Sequence, residues 1–478
     1  MYPNAPSSQT CPNVKRDSRF NLLNRETAVN SHAFSRYLAV AALLVSAPAM
    51  AVNFGPLEVV GFAKDEITFC DNCSLGLVNP SPFDPRGVLT SINPMLNQGS
   101  ASGRRSSNLG LAQLTLGLAY EFDNAVKVEA KASGRVRNNG PDIFGNYLID
   151  GYVGISYPKF GSLQVGKMSS RSWTRSDSFA YPIGLSSPWA ESGASYGVIP
   201  EAVRYATREY EIPIGKIRFE GTYGRAKKRN PLNKTDPLAT ALVPPPSPSI
   251  FEAFIQYSNE KNLVEAIYQD SRGGIQSSFA KGAFYGAQGN TNTAATSPGY
   301  RPPSQSVVIV QGTYWRNDRW KFNYGVKRSD WSGQQQQCDF GPATPTLSKC
   351  FWDQAGFNYA SDFKLYRAVE YDLMAGASYS GQRPYVFTAG VVRMNRASTR
   401  NPTEWGQSNS ATFLNLGVYR KVPEISKYLE VYGGVGGVIF GRQGPAPLGM
   451  PNNTAFGGVD PRISKSSASL TIGANFVF

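Results

Sequence analysis

Basic side chains that recur at even spacing are the groups with which this chain could act on charged molecules. They lie in segments such as AVKVEAKASGRVR and AVRYATR, where apolar residues alternate with polar ones. In a strand, residues two or four positions apart share one face. The basic residues that share a face in this way are Lys127, Lys131, Arg135, Arg204, Arg208 and Arg218. Rows of cations on the wall of a narrow space concentrate anions, so the pattern indicates electrostatic rather than covalent work.

The histidine content argues against most enzyme classes. The chain has one histidine, His32, in a segment that we expect to be removed. Without histidine, a Ser-His-Asp triad, a His-ligated zinc site and imidazole acid–base catalysis have no ligand or base. We therefore expect no enzyme, no metal site and no cofactor.

The first 51 residues have the features of an export signal. Arg36 precedes an apolar run at 37–45, and small residues (Ala49 and Ala51) occupy the −3 and −1 positions of a cleavage site. A membrane anchor is the alternative, but the run is short of the roughly 20 residues that span a bilayer. We expect residues 1–51 to be removed and residues 52–478 to form a single domain.

The remaining chain is predicted to be all-β. Segment 109–120 carries Leu114, Leu116 and Leu118 on one face, and the last segment, 470–478, alternates in the same way. A soluble sandwich also alternates. However, many segments run ten residues or more, which suits membrane strands of about 9–11 residues, and aromatics recur at their ends. The pattern therefore favours a transmembrane antiparallel β-barrel.

The connections between these segments alternate between long and short. Sixteen strands are predicted, with short connections such as 122–124 and 259–261 and long ones such as 169–199 and 330–365. Short periplasmic turns and long external loops are the asymmetry of outer-membrane barrels. Charge is low, at 17% of residues, and the net charge is +14.

Two motifs add a family resemblance. The segment FGSLQVGKM leads into the third long connection, and the closing segment SASLTIGANFVF ends at an aromatic, Phe478. With the leader and the loop pattern, the chain resembles the sixteen-stranded, trimeric general porins of Gram-negative bacteria. The resemblance implies a location in the cell outer membrane, passive water-filled diffusion, a homotrimer, a third loop folded into the lumen, and recognition of the terminal strand by the barrel assembly machinery.

The resemblance makes the third long loop the predicted constriction. Its candidate filter residues are Arg171, Trp173, Arg175, Asp177, Tyr181 and Glu191, which would face the wall arginines Arg204, Arg208 and Arg218. With a basic chain, this predicts a weak preference for anions. The alternative is that the charges are simply solvated. The loop aromatics either pin the loop to the wall or guide sugars and organic acids by stacking.

The four cysteines beyond the leader predict disulfides in an exported chain. Local pairs, Cys70 with Cys73 and Cys338 with Cys350, are favoured over a redox CxxC motif and over a zinc site, and crossed pairing between the two loops stays open. The predicted function is a diffusion channel for small hydrophilic solutes, or alternatively a channel that prefers sugars or small organic acids. Expected partners are outer-membrane lipid and lipopolysaccharide, the latter at the basic run 225–229. Basic residues are otherwise dispersed, so no nucleic-acid partner is expected.

Overall fold

A computed structural model describes the chain between residues 56 and 478, with gaps. The described residues are 56–71, 104–137, 140–141, 148–177, 188–193, 195, 197–225, 249–272, 304–332, 338–339, 349–350, 368–395, 398–399, 410–441 and 465–478. They belong to one compact unit, Ala51–Phe478. The predicted leader lies outside them and stays a prediction.

Sixteen long strands form one closed antiparallel sheet, as the alternation predicted. In chain order β1 to β16 are Leu57–Asp71, Arg104–Glu121, Lys127–Arg137, Leu148–Tyr157, Gly161–Ser169, Val198–Ala206, Gly215–Arg225, Ser249–Ser258, Asn262–Arg272, Ser304–Trp315, Trp320–Ser332, Ala368–Tyr379, Tyr385–Met394, Ala411–Lys421, Leu429–Phe440 and Ser466–Val477. Each strand pairs with the next along the chain. Short additional strands pair at the rims, at Gly140–Pro141, Tyr210–Ile212 and Ser398–Thr399.

The last strand closes the barrel against the first. The register of β16 on β1 places Val477 opposite Phe62. The terminal residue extends this ladder, since Gly61 N donates to Phe478 O at 2.8 Å and Phe478 N donates to Gly61 O at 2.9 Å. A Cβ at Gly61 would lie 2.8 Å from Cζ of Phe478, so glycine lets the terminal ring pack there. Closure leaves no unpaired sheet edge in the wall.

The two faces of the sheet have the polarity of a membrane barrel. Leu114, Leu116 and Leu118 are exposed on the outside. Between them, Thr115 is buried on the inside, where its hydroxyl lies 2.6 Å from that of Ser133. An apolar exterior around a polar interior is the pattern of barrels whose outer surface meets lipid. Among the described helices, none is long and apolar enough to cross a bilayer.

Aromatic side chains collect at the ends of the strands that short turns connect. Tyr120 and Phe122 pack edge to face with ring centroids 4.9 Å apart, and Trp320 stacks on Phe322 at 5.8 Å. Tyr120 and Trp320 carry a polar group on an apolar ring, which suits the boundary between lipid and water, and a phenylalanine packs against each of them. These residues form the predicted interfacial girdle.

One predicted strand is divided. The alternation in AVRYATR, which placed Arg204 and Arg208 on one face, ends at Ala206, and strand pairing resumes at Tyr210–Ile212. Between them, Thr207 Oγ1 accepts a hydrogen bond from Phe219 N at 3.1 Å, so a side chain takes the place of a ladder partner. Arg208 consequently leaves the inner face. It is exposed near the turn, with its guanidinium carbon 5.2 Å from the Tyr210 ring.

Candidate pore constriction

The third long connection starts with a short helix, α1 (Arg171–Asp177). Ser170 caps it locally, because its hydroxyl accepts from Trp173 N at 3.1 Å. A second cap comes from the barrel wall. The Glu252 carboxylate of β8 accepts from Arg171 N at 2.7 Å and from Ser172 N at 3.0 Å. A carboxylate at a helix N-terminus is favoured by both hydrogen bonding and the helix dipole, so the wall fixes where α1 begins.

The two arginines of α1 bind acids on the inner wall. Arg171 makes a two-point contact with Glu220, Nε to Oε2 at 2.6 Å and Nη2 to Oε1 at 3.1 Å. Arg175 Nε lies 2.6 Å from Glu265 Oε1, and its Nη2 contacts the same oxygen. The two carboxylates are buried, while both arginine side chains stay more than a quarter exposed. The helix is therefore held across the lumen face of β7 to β9.

Arg204 of β6 stabilises the start of the loop from the barrel wall. It is buried, and it donates to Thr222 Oγ1 and to the Ser169 carbonyl, both at 2.8 Å. Its Nη2 lies 3.8 Å from Glu252, the residue that caps α1. Arg218 sits at the edge of the same cluster, 2.6 Å from Glu220, with its side chain one-third exposed.

A second helix, α2 (Pro188–Glu191), anchors the other half of the loop. Trp189 is fully buried, and its indole N–H donates to Gln311 Oε1 at 2.8 Å. Lys327 Nζ donates to the carbonyls of Trp189 at 2.5 Å and Ser192 at 3.1 Å, and lies 4.5 Å from the Trp189 ring centroid. A lysine at a helix C-terminus satisfies carbonyls that have no partner within the helix.

One chain of contacts joins the two anchors. Gln311 accepts from Trp189 and donates to Glu265 at 3.0 Å, and Glu265 holds Arg175. Close packing around α2 depends on glycine. Gly193 has φ = 71°, and a Cβ there would lie 2.7 Å from Lys327 Cδ. A Cβ at Gly325 would lie 2.8 Å from Trp189 Cζ2.

The β3 wall carries the remaining predicted basic residues. Val128 and Val136 are exposed outside, which places Lys127, Lys131 and Arg135 on the inner face. Arg135 donates to Gln113 Oε1 at 2.7 and 3.0 Å, and its guanidinium carbon lies 5.6 Å from the Trp173 ring. Within the part of the chain that the structure describes, Lys127 and Lys131 form no ion pair. Glu129, between them on the same face, accepts a hydrogen bond from Gln164 Nε2 at 2.9 Å instead.

Solved structures share this architecture. The anion-selective porin of Comamonas acidovorans is 11% identical over 88% of this chain and 99% of its own, with a TM-score of 0.51. The trimer form of OmpT, an outer membrane protein of Vibrio cholerae, is 14% identical over the same shares, with a TM-score of 0.50. This chain has the porin fold. No family model and no curated protein sequence matches it.

Part of the predicted site lies outside the described residues of this porin barrel. Tyr181 and Cys73 both lie outside the described residues. Asp177 and Glu191 end α1 and α2, but their side chains are not described. Cys70 is buried near the end of β1, and a two-stranded hairpin places Cys338 opposite Cys350 in register.

Four of the residues that hold the loop were not among those predicted. They are Glu252, Glu265, Gln311 and Lys327. Their signal was in the sequence, because each is a polar residue at an inward position of an alternating strand, as Glu252 is in SIFEAFIQYS. Alternation locates such residues on the lumen face but does not identify their partners.

Proposed function

We propose that the protein is an outer-membrane diffusion channel for small hydrophilic solutes and ions, with a weak preference for anions. The observation that supports this most directly is the arrangement of charge around the third loop. Glu220, Glu252 and Glu265 are paired beneath the loop, whereas Lys127 and Lys131 on β3 are not. A narrow lumen lined by unpaired cations raises the local anion concentration.

Planar bilayers with the purified barrel test this proposal directly. We expect stepwise single-channel conductance. In a KCl gradient, we expect the sign of the reversal potential to show that chloride permeates more readily than potassium. Absence of channels would contradict the pore, and clear cation selectivity would contradict the anion preference alone.

The alternative of a site that prefers sugars or organic acids depends on aromatic faces open to the lumen. Trp173 and Trp189 are both buried against the wall, which favours a role in pinning the loop. Liposome swelling with solutes of graded mass separates the two readings. A smooth decline of rate with mass supports a general pore, and one solute far above that trend supports a binding site.

We further propose that the barrel assembles as a homotrimer through the outer face of β16, β1 and β2. Asp65 shares the outward face of Ile67 and Phe69, and its carboxyl is hydrogen-bonded to Asn108. Its neighbours there are small, Ala474 on β16 and Gly110 on β2. Exposing an ionisable side chain to lipid costs free energy. Small neighbouring residues allow another protein surface to approach closely. Contact with a second copy would remove Asp65 from lipid.

The trimer is tested with the variant D65R and a matched control, E201R, which changes an outward-facing acid on β6. We expect D65R to be monomeric and E201R trimeric in native mass spectrometry, with both barrels keeping heat-modifiable mobility. A D65R trimer of unchanged stability would place the interface elsewhere.

The cysteines are proposed to form two local disulfides, Cys70 with Cys73 and Cys338 with Cys350. The register that places Cys338 opposite Cys350 supports the second, because directly opposed residues have the short Cα separation that a disulfide needs. Peptide mapping without reduction distinguishes these pairs from crossed ones.

A further inference from the structure

Arg393, on the outer wall, has only neutral partners among the described residues. In β13, Thr388 and Val392 are buried on the inside, and Tyr385 and Phe387 are exposed on the outside. Arg393 continues the outward positions, one residue before the strand ends at Met394. Its guanidinium therefore lies on the lipid-facing wall, at the end of the barrel where the long loops begin.

The hydrogen bonds of Arg393 leave its charge uncompensated. Nη1 donates to Thr412 Oγ1 at 2.6 Å, Nε to Asn395 Oδ1 at 3.2 Å, and Nη2 to Ser410 Oγ at 3.3 Å. No carboxylate contacts it among the described residues. By contrast Arg272, also outward at a loop end, lies 2.5 Å from Asp270. Arg393 is held in one orientation by neutral groups, and its positive charge remains available.

A second cation lies on the same rim. Arg328 of β11 is directly opposite Tyr371 of β12, with its guanidinium carbon 6.0 Å from that ring. It pairs with Asp330 at 3.4 Å but stays 42% exposed. Asn395 Nδ2 donates to the Tyr371 carbonyl at 2.6 Å, which links the two arginines. The rim cluster is Arg328, Tyr371, Arg393, Asn395, Ser410 and Thr412, across four adjacent strands.

Apolar side chains lie directly below the cluster. Leu373 is the register partner of Arg393 and is half exposed, and Leu414 and Leu416 continue the outer face of β14. A cation cluster above exposed leucines complements a molecule with an anionic head and hydrocarbon chains. A free anion would bind the cations but would not account for the exposed leucines.

We propose that the rim cluster binds a phosphate group of an anionic lipid in the outer leaflet, with the acyl chains along Leu373, Leu414 and Leu416. Arginine binds phosphate through parallel hydrogen bonds. The free-energy cost of an arginine on the lipid face is small only near the headgroups. Basic pockets at membrane boundaries bind lipid head groups by this chemistry. The site is on the outside of the wall, so it is independent of conduction through the lumen.

The test is native mass spectrometry of the detergent-purified protein titrated with lipid A, with dephosphorylated lipid A, and with inorganic phosphate. The variant R393Q keeps hydrogen-bonding capacity without charge and should weaken lipid A binding about tenfold, which is about 1.4 kcal/mol. The control R272Q removes an arginine that already has an acid partner and should change binding less than about twofold. Folding of each variant is checked by heat-modifiable mobility and conductance.

Three results would overturn the proposal: R393Q binding lipid A as well as the parent protein, equal binding of the dephosphorylated lipid, or inorganic phosphate alone binding as tightly as lipid A. If R393Q does not fold, R328Q serves in its place, with a smaller loss expected because Asp330 already compensates Arg328.

Discussion

Two parts of the lumen wall carry similar charged residues, but they differ in how many of these charges are ion-paired among the described residues. On the wall of β6 to β9, three acids pair with four arginines, two from the loop and two from the wall, as in Arg171 with Glu220 and Arg204 with Glu252. On the β3 wall, Lys127 and Lys131 have no ion pair among the described residues. The strand pattern is the same on both walls. The loop converts the first set of charges into a scaffold, and we propose that the second set is the source of the field in the lumen.

The largest effect is expected when the central anchor is removed. E252Q would leave α1 without its carboxylate cap and Arg204 buried without its counter-charge, a loss of about 3–5 kcal/mol. We expect higher and noisier single-channel conductance and faster proteolysis within 169–199. The matched control is E129Q on β3, where the carboxylate accepts from Gln164 at 2.9 Å and holds no helix. Equal conductance of E252Q and the parent protein would show that the loop does not depend on this anchor.

A smaller effect is expected at the second anchor. K327M removes two hydrogen bonds to the carbonyls of Trp189 and Ser192, a cost of about 2–3 kcal/mol. The change should release α2 while Glu252 still holds α1, so conductance should rise less than in E252Q. Hydrogen exchange of residues 188–193 against 171–177 measures this difference. Equal loss of protection in both helices would show that the anchors act as one unit.

A single methyl group tests the packing of the loop on the wall. G193A places a side chain at φ = 71° and against Lys327, which should cost about 1–3 kcal/mol. G221A, on β7, is the control because a Cβ there has no atom within 4 Å. Thermal unfolding in detergent compares them. A G193A barrel as stable as G221A would mean that α2 shifts without penalty.

The smallest free-energy change, but the clearest functional one, is expected on the β3 wall. Replacing Lys127, Lys131 and Arg135 together by glutamine should shift the permeability ratio about threefold towards cations. This shift corresponds to a free-energy change of less than about 1 kcal/mol. R204Q removes a buried arginine from beneath the loop and should lower stability with little change of reversal potential. A selectivity shift in R204Q and none in the triple variant would reverse the assignment of the two walls.

The alternation of residues predicted most of the fold. Leu116 outside and Thr115 inside follow from period-two spacing, and the sixteen strands follow from repeating that pattern between turn residues. The prediction was less accurate where side chains compete with the ladder. Thr207 interrupts its strand through a bond to Phe219 N, and this removed Arg208 from the row that it was expected to share with Arg204.

The candidate site was predicted in part. Arg171, Arg175 and Arg204 were identified as charged groups of the loop and wall, and the cap of α1 by Ser170 could have been read locally. Their partners could not, because Glu252 is 81 residues from Arg171 and Glu265 is 90 from Arg175. Nothing in the spacing of either segment specifies which inward acid meets which arginine.

By itself, the sequence determined the class of the protein: strands long enough for a membrane, an apolar outer face, a polar lumen and a long third connection. These features are local, since each depends on the types of residues within one strand or one turn. Only the tertiary structure decided which charges are neutralised and which face the pore. That outcome depends on closure of the sheet and on the path of the loop across it, which bring together side chains from strands far apart in the chain.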